Sequence, residues 1–420
     1  MPDIGLPALL TLLAPETPGE VSVERFLLLL ATVLLSAKAL GELAERIGQP
    51  AVIGELLAGV LLGPSVFGFV DPNLSVLHLL AEIGVILLLF SIGLETDLKR
   101  LLSVGGAAMT VAVVGVVLPF LSGYFVAQAL GLEFLPSIVA GAALTATSVG
   151  ITARVFSDLG KLKSIEGQIV LGAAVIDDVI GLIILAVVSE LVAGTPPSVG
   201  GVLRTTAVAF GFLVGAIFLG RFLVPPLFDF IARTGKEQTI ASMALVFAFL
   251  LAVVASQVGS ALIVGAFAAG LVLNPTRHVH TVERGVVRLA SFFVPIFFVA
   301  VGAAVDVRTF ASANVVLVGV ALTVVAILGK FAAGFAPVWI PAHKSLIGVG
   351  MIPRGEVGLI FAQTGLTAGV LTAGTYSALM LMVLVTTFMA PPLLRMLIVK
   401  SGTGTPNTDA VGVAEMTTEA

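Results

Sequence analysis

About thirteen stretches of this chain are apolar over the length of a bilayer core, and little charge separates them. They fall at about 22–41, 49–70, 75–95, 103–130, 134–157, 164–194, 202–232, 237–257, 260–274, 285–304, 312–340, 344–372 and 375–399. Only 11% of the 420 residues are charged and 58% are hydrophobic, with a mean hydropathy of +1.16. A soluble domain carries roughly 25% charge, so the surface here must be solvated by lipid. A helix satisfies its own backbone hydrogen bonds in hydrocarbon, which predicts an all-α polytopic membrane protein. The 46 glycines and 21 prolines then indicate close helix packing and broken helices rather than loops. With no cysteine, thiol redox chemistry, thiolate metal sites and disulfides are excluded. Residues 1–21 lack a basic leader and read as an N-terminal tail, and the Gly/Thr-rich residues 401–420 read as a disordered C-terminal tail.

Lysine and arginine between the spans set the orientation. With the N-terminus outside, sixteen of them lie on the inner side and three (Arg25, Arg204, Arg308) on the outer, while Lys330 and Arg354 lie within spans. That places the N-terminus outside and the C-terminus in the cytoplasm. An internal repeat is also present. Gly54, Ala58, Gly59 and Pro64 recur as Gly265, Ala269, Gly270 and Pro275, offset by 211, and Gly93 and Asp97 recur as Gly302 and Asp306, offset by 209. The matched spans are an odd number apart, so the copies are inverted. Inverted repeats mark secondary transporters that alternate access around a site near the midplane.

Within the sixth span, Asp177 and Asp178 stand side by side in the run Ala174-Val175-Ile176-Asp177-Asp178-Val179-Ile180-Gly181. An acid at this depth costs about 2.5–3.5 kcal/mol on insertion scales and marks a functional site. Lys330 lies in the eleventh span, nine residues from Trp339, an interfacial anchor. At 1.5 Å per residue the interface is about 13 Å away, beyond a lysine's reach. Its ammonium needs a buried anion, and one of the pair is the obvious one. Adjacent helical residues point about 100° apart, so the other acid is left to face a cavity. Polar patches in mid-membrane mark two interrupted helices: Thr145, Thr147 and Ser148 in the fifth span, and Pro353, Arg354, Gly355 and Glu356 in the twelfth. The charges themselves do not repeat. The counterparts of Asp177 and Asp178 fall near Thr386 and Thr387, which fits one ion site between the halves.

Glu55 and Glu82 lie inside the second and third spans and read equally as wall-lining or structural acids. His78, His278, His280 and His343 fall at span ends without metal-site spacing. No cofactor, nucleic acid or soluble partner is implied. The expected partners are membrane lipid and a second copy, docked through the Gly/Ala faces of spans 1–3 and 8–10.

The acid pair in Ile176–Gly181, Lys330, and Pro353–Gly358 resemble the bacterial sodium/proton antiporters of the monovalent cation:proton antiporter-2 family over about residues 22–400. The resemblance implies thirteen helices in an inverted-repeat antiporter fold with two crossed, broken helices. It divides the chain into dimer-domain helices (about 22–95 and 237–304), a linker helix (about 202–232) and core-domain helices (about 103–194 and 312–399). It makes Asp178 the acid that takes cation or proton, and Asp177 the partner of Lys330. The helix-break residues would line the ion path, and Na⁺, held by Asp178 and Asp177, would be the transported metal. The expectation is a homodimeric Na⁺ (or Li⁺)/H⁺ antiporter, not an enzyme, in a bacterial inner membrane or another energised internal membrane. A K⁺/H⁺ antiporter is the alternative. An intramembrane aspartyl protease also needs two membrane acids, but its Gly-x-Gly-Asp motif is absent.

Overall fold

The computed structural model describes residues 22–400 except 73, 193–198, 235, 306 and 309–311, and not the side chains of a few further helical residues, Glu356 among them. Both tails, and Asp306 of the repeat, lie outside the described residues.

All regular secondary structure among the described residues is helical. The first half contains α1 (Val23–Arg46), α2 (Ala51–Leu62), α3 (Ser75–Glu95), α4 (Leu98–Ser103), α5 (Gly105–Ala129), α6 (Phe134–Ala143), α7 (Val149–Asp158) and α8 (Ile165–Val192). The long α9 (Val199–Thr234) follows. The second half contains α10 (Glu237–Gln257), α11 (Leu262–Leu273), α12 (Val279–Ala303), α13 (Ala313–Ala333), α14 (Lys344–Gly350), α15 (Glu356–Thr367) and α16 (Ala373–Lys400). Among the described residues, nine helices are long and apolar enough to cross a membrane: α1, α3, α5, α8, α9, α10, α12, α13 and α16. The chain is an integral, multi-pass membrane protein.

One expected span is corrected. The apolar run 49–70 is helical only to Leu62, because Gly63 and Pro64 end it and the chain returns through Gly68 at φ +65°. Hydropathy sees the whole run as one span; the backbone does not.

Contacts divide the helices into two sets. In one, α1 packs on α2, α2 on α12, α12 on α3, α3 on α11 and α11 on α10. In the other, α5 packs on α8 and α13, α13 on α16, α6 on α15, and α14 on α8. Helix α9 touches α8 of one set and α10 and α11 of the other.

Glycine contacts carry the sequence repeat into the packing. A Cβ on Gly59 would lie 2.2 Å from the carbonyl oxygen of Val299, and one on Gly270 would lie 2.4 Å from that of Phe90. The same holds between the broken elements and their neighbours. A Cβ on Gly141 would lie 2.7 Å from Phe120 O, and one on Gly348 would lie 2.4 Å from Phe331 O. Each pair is related by an offset of 207 to 211, so both halves use one backbone-to-backbone contact scheme. Such approach excludes any side chain. It also corrects the basis for the expected dimer contact: Gly54, Gly59, Gly265 and Gly270 are filled by backbone of the same chain. Those faces are not available to a second copy.

Candidate functional site

Helix α8 runs for 28 residues and carries Asp177 and Asp178 at its middle. Both are buried, at 0% and 3% exposure. From α13, Lys330 extends its stem past Gly115 of α5 and donates from Nζ to Asp177 Oδ2 at 2.8 Å. Each member of the pair is fully buried. Asp177 Oδ1 has no hydrogen-bond partner. Asp178 and Arg354 also act electrostatically on Lys330. The structure thus brings two acids and two bases into one apolar interior.

The polar patches are interruptions in helices, and they meet. Helix α6 ends at Ala143, where Thr145 Oγ1 bonds back to Ala142 O at 2.7 Å. The chain then runs extended to Ser148, the residue before α7. Helix α14 ends at Gly350, and α15 begins only at Glu356. Between them Pro353 cannot donate a backbone hydrogen bond. Gly355 is required because a Cβ there would lie 2.7 Å from Ser148 Oγ.

The two breaks satisfy each other's backbone groups. Ser148 N donates to Pro353 O at 2.8 Å, Thr147 Oγ1 to Met351 O at 3.3 Å, and Thr152 Oγ1 to Gly350 O at 2.8 Å. In return, Arg354 Nη1 donates to Ala146 O at 2.7 Å. Its Nη2 reaches Ala326 O of α13 at 3.4 Å, and its guanidinium is fully buried. Unpaired carbonyls at membrane depth cost several kcal/mol each, and these bonds remove that cost. Ser148 Oγ is buried without a hydrogen-bond partner. Carboxylate, hydroxyl and carbonyl oxygens are the ligands a hard cation takes.

Thr145, Thr147, Ser148, Pro353 and Arg354 therefore gather where the two breaks meet, and electrostatic contact ties Arg354 to Asp177. Glu356 opens α15, and its side chain lies outside the described residues. The other two acids stand apart. Glu82 pairs with His78 on its own helix at 3.3 Å and is 41% exposed. Glu55 is buried in α2, where Arg154 and then Lys38 act on it electrostatically as cations. No group of three or more His, Cys, Asp or Glu suited to a metal ion occurs among the described residues.

Two hydroxyls escaped the sequence reading. Thr152 is buried on α7, and buried Thr387 on α16 donates to Arg354 O at 2.7 Å. The signal for Thr387 was in hand: the repeat offset places it opposite Asp178.

Residues 29–400 match the family described as sodium/hydrogen exchanger, transmembrane. The chain belongs to the sodium/hydrogen exchanger family. Among curated relatives, this exchanger is 40% identical to the high-affinity Na⁺/H⁺ antiporter NhaS3 of Synechocystis, with 91% of this chain and 92% of that protein covered. It is 37% identical to the Na⁺/H⁺-K⁺ antiporter GerN of Bacillus cereus, covering 88% and 95%. The solved sodium proton antiporter MjNhaP1 of Methanocaldococcus jannaschii superposes with a TM-score of 0.69 over 95% of this chain and 99% of that one. At 16% identity that likeness speaks for the fold alone. The family is one of exchangers, not of enzymes, so the protease reading falls.

Proposed function

We propose that this protein exchanges Na⁺ for H⁺ across an energised bacterial membrane, with Asp178 as the acid that takes cation and proton in turn. The observation that carries this is the buried Asp177–Lys330 pair at 2.8 Å beside a second buried acid, where two helix breaks meet. Lys330 holds Asp177, and Asp178 is the adjacent buried acid on the same helix, which this reading takes as the cargo carboxylate. Proton and Na⁺ neutralise the same carboxylate and cannot occupy it together, so each crossing is charged with one or the other. Hydroxyl and carbonyl oxygens of the breaks would complete the cation's shell. The name of NhaS3 favours Na⁺, and that of GerN supports K⁺ as the second reading.

The finer architecture belongs to the same proposal. Nine long helices, short α2 and α11, and two interrupted passes (α6–α7 and α14–α15) make thirteen crossings, with the interrupted passes as the crossed pair. An odd number would put the termini on opposite sides, and the distribution of lysine and arginine argues for the N-terminus outside and the C-terminus in the cytoplasm. The set containing α5–α8 and α13–α16 would be the moving core. The set containing α1–α3 and α10–α12 would be the dimer domain, with α9 as the linker between them. A second copy would dock on the exposed apolar faces of α1, α9 and α10 rather than on the glycines.

Na⁺-driven proton flux into liposomes tests the assignment. Asp178→Asn should fold and give no exchange, because an amide cannot trade a proton for a cation. Wild-type flux in that variant would overturn the role of Asp178, and K⁺ outcompeting Na⁺ in the wild type would select the second reading.

A further inference from the structure

Four carbonyls of the second break are bonded from outside their own helix: Gly350, Met351, Pro353 and Arg354. Three are taken by residues of the first interrupted element, Thr152, Thr147 and Ser148. The fourth, Arg354 O, is held by Thr387 Oγ1 from α16 at 2.7 Å. Thr387 is 2% exposed. Its neighbour Thr386 shows what a threonine in a helix ordinarily does, since its hydroxyl bonds back to Met382 O and Val383 O within α16. Thr387 reaches out of its own helix instead. The carbonyl it grips belongs to the residue whose guanidinium bonds Ala146 O in the first break and Ala326 O on α13. Arg354 is thus held at both ends, its backbone by α16 and its side chain by the first break and by the helix of Lys330.

We propose that Thr387 is a positioning residue for exchange: its hydroxyl fixes the backbone of the second break so that Arg354 stays aimed between the first break and the Asp177–Lys330 pair. The inference rests on the exchanger reading above. It gives a use to a place where the repeat substitutes chemistry. In the first half, the mid-helix pair is Asp177-Asp178. At an offset of 209, the second half has Thr386-Thr387. The first pair supplies charge for the cargo, and the second supplies a neutral donor that steadies the break. A carboxylate at 387 could not donate to Arg354 O, and its oxygens would meet that carbonyl without a proton between them.

Thr387→Val keeps the shape and removes the hydroxyl, whereas Thr387→Ser keeps the donor. Both are reconstituted with wild type, and maximal exchange rate and KM for Na⁺ are measured separately. Losing one buried hydrogen bond and stranding its acceptor is expected to reduce the maximal rate by about tenfold. KM should change less, and Thr387→Ser should stay within about twofold of wild type. Thr387→Val in an Arg354→Lys background should add little further loss, since Thr387 acts through Arg354. If Thr387→Val does not fold, Thr387→Ala against Thr387→Ser makes the same comparison. Equal losses in the Ser and Val (or Ala) variants, or wild-type kinetics in Thr387→Val, would overturn the proposal while exchange by the wild type stands. An inactive wild type would overturn the exchanger reading and this inference together.

Discussion

Removing one member of the Asp177–Lys330 pair should cost far more stability than removing both. Each side chain is fully buried and the ions are 2.8 Å apart. Lys330→Gln leaves the Asp177 carboxylate in an apolar interior without its bonded ammonium and with only the electrostatic influence of Arg354. Breaking a buried pair in this way costs about 3–5 kcal/mol, most of it the desolvation of the stranded charge. Asp177→Asn strands Lys330 and should cost a similar amount. The double variant has no stranded charge, and two amides can bond to each other, so its cost should be about 1–2 kcal/mol. A chain of this size loses roughly 1–2 °C of apparent Tm per kcal/mol, extrapolating from smaller domains. Each single variant should therefore melt about 3–10 °C below wild type, and the double variant closer to it. Thermal unfolding of detergent-purified protein, at one fixed scan rate so that the values compare, reads all four proteins. Glu42→Gln is the control: its pair with Arg46 has the same kind of contact, at 2.7 Å, but the side chains are 64% and 74% exposed. Its loss should be within about 1 kcal/mol. Losses in the two single variants that simply add in the double variant would refute the reasoning, since the pair would then contribute no coupling.

Exchange is expected to be electrogenic, with Lys330 surrendering a proton when cation binding at Asp178 disturbs its pair; undiminished current per Na⁺ in Lys330→Gln on a solid-supported membrane would refute that carrier role. Native mass spectrometry in mild detergent should show a homodimer, and Leu250→Trp on the exposed face of α10 should weaken it; a uniformly monomeric wild type would count against the docking face. Gly59→Ala should cost about 1–3 kcal/mol, because its Cβ would sit 2.2 Å from Val299 O. Gly105→Ala, with open space around the site, should be neutral or stabilising, and equal Tm losses in the two would contradict the close-packing account.

The membrane class, the acid pair, its lysine and both helix breaks were legible in the sequence because each is a local violation of hydropathy. A charge, a proline or a run of hydroxyls in mid-membrane has few innocent explanations. What stayed hidden is what such a signal does not encode. Gly63 and Pro64 ended α2 early, inside a run that hydropathy reads as continuous. The glycine faces looked fit for a second copy, yet Leu40, Val299 and Phe90 of the same chain fill them. Sequence spacing marks a face as small but does not name what covers it. Glu82 read equally as a wall-lining or a structural acid, and the apolar span could not show that its partner is His78 on its own helix. Thr387 looked like one more helical threonine until the direction of its hydroxyl was known.

Symmetry and asymmetry divide the work between scaffold and site. The repeat gives both halves the same glycine contacts, so one core set can sit against the other set in two related ways. Charge does not follow the repeat: the two acids lie in the first half and the two bases in the second. Asp177, Asp178, Lys330 and Arg354 are buried together and cancel when all four are ionised. On the proposed reading, either a proton or a Na⁺ on Asp178 would leave that interior one charge positive, and the two loaded forms would compete for the same carboxylate. If Lys330 then releases its proton to accommodate Na⁺, the sodium-loaded interior returns to neutrality while the proton-loaded one stays positive. The two crossings then differ by one charge, and membrane potential can drive the cycle.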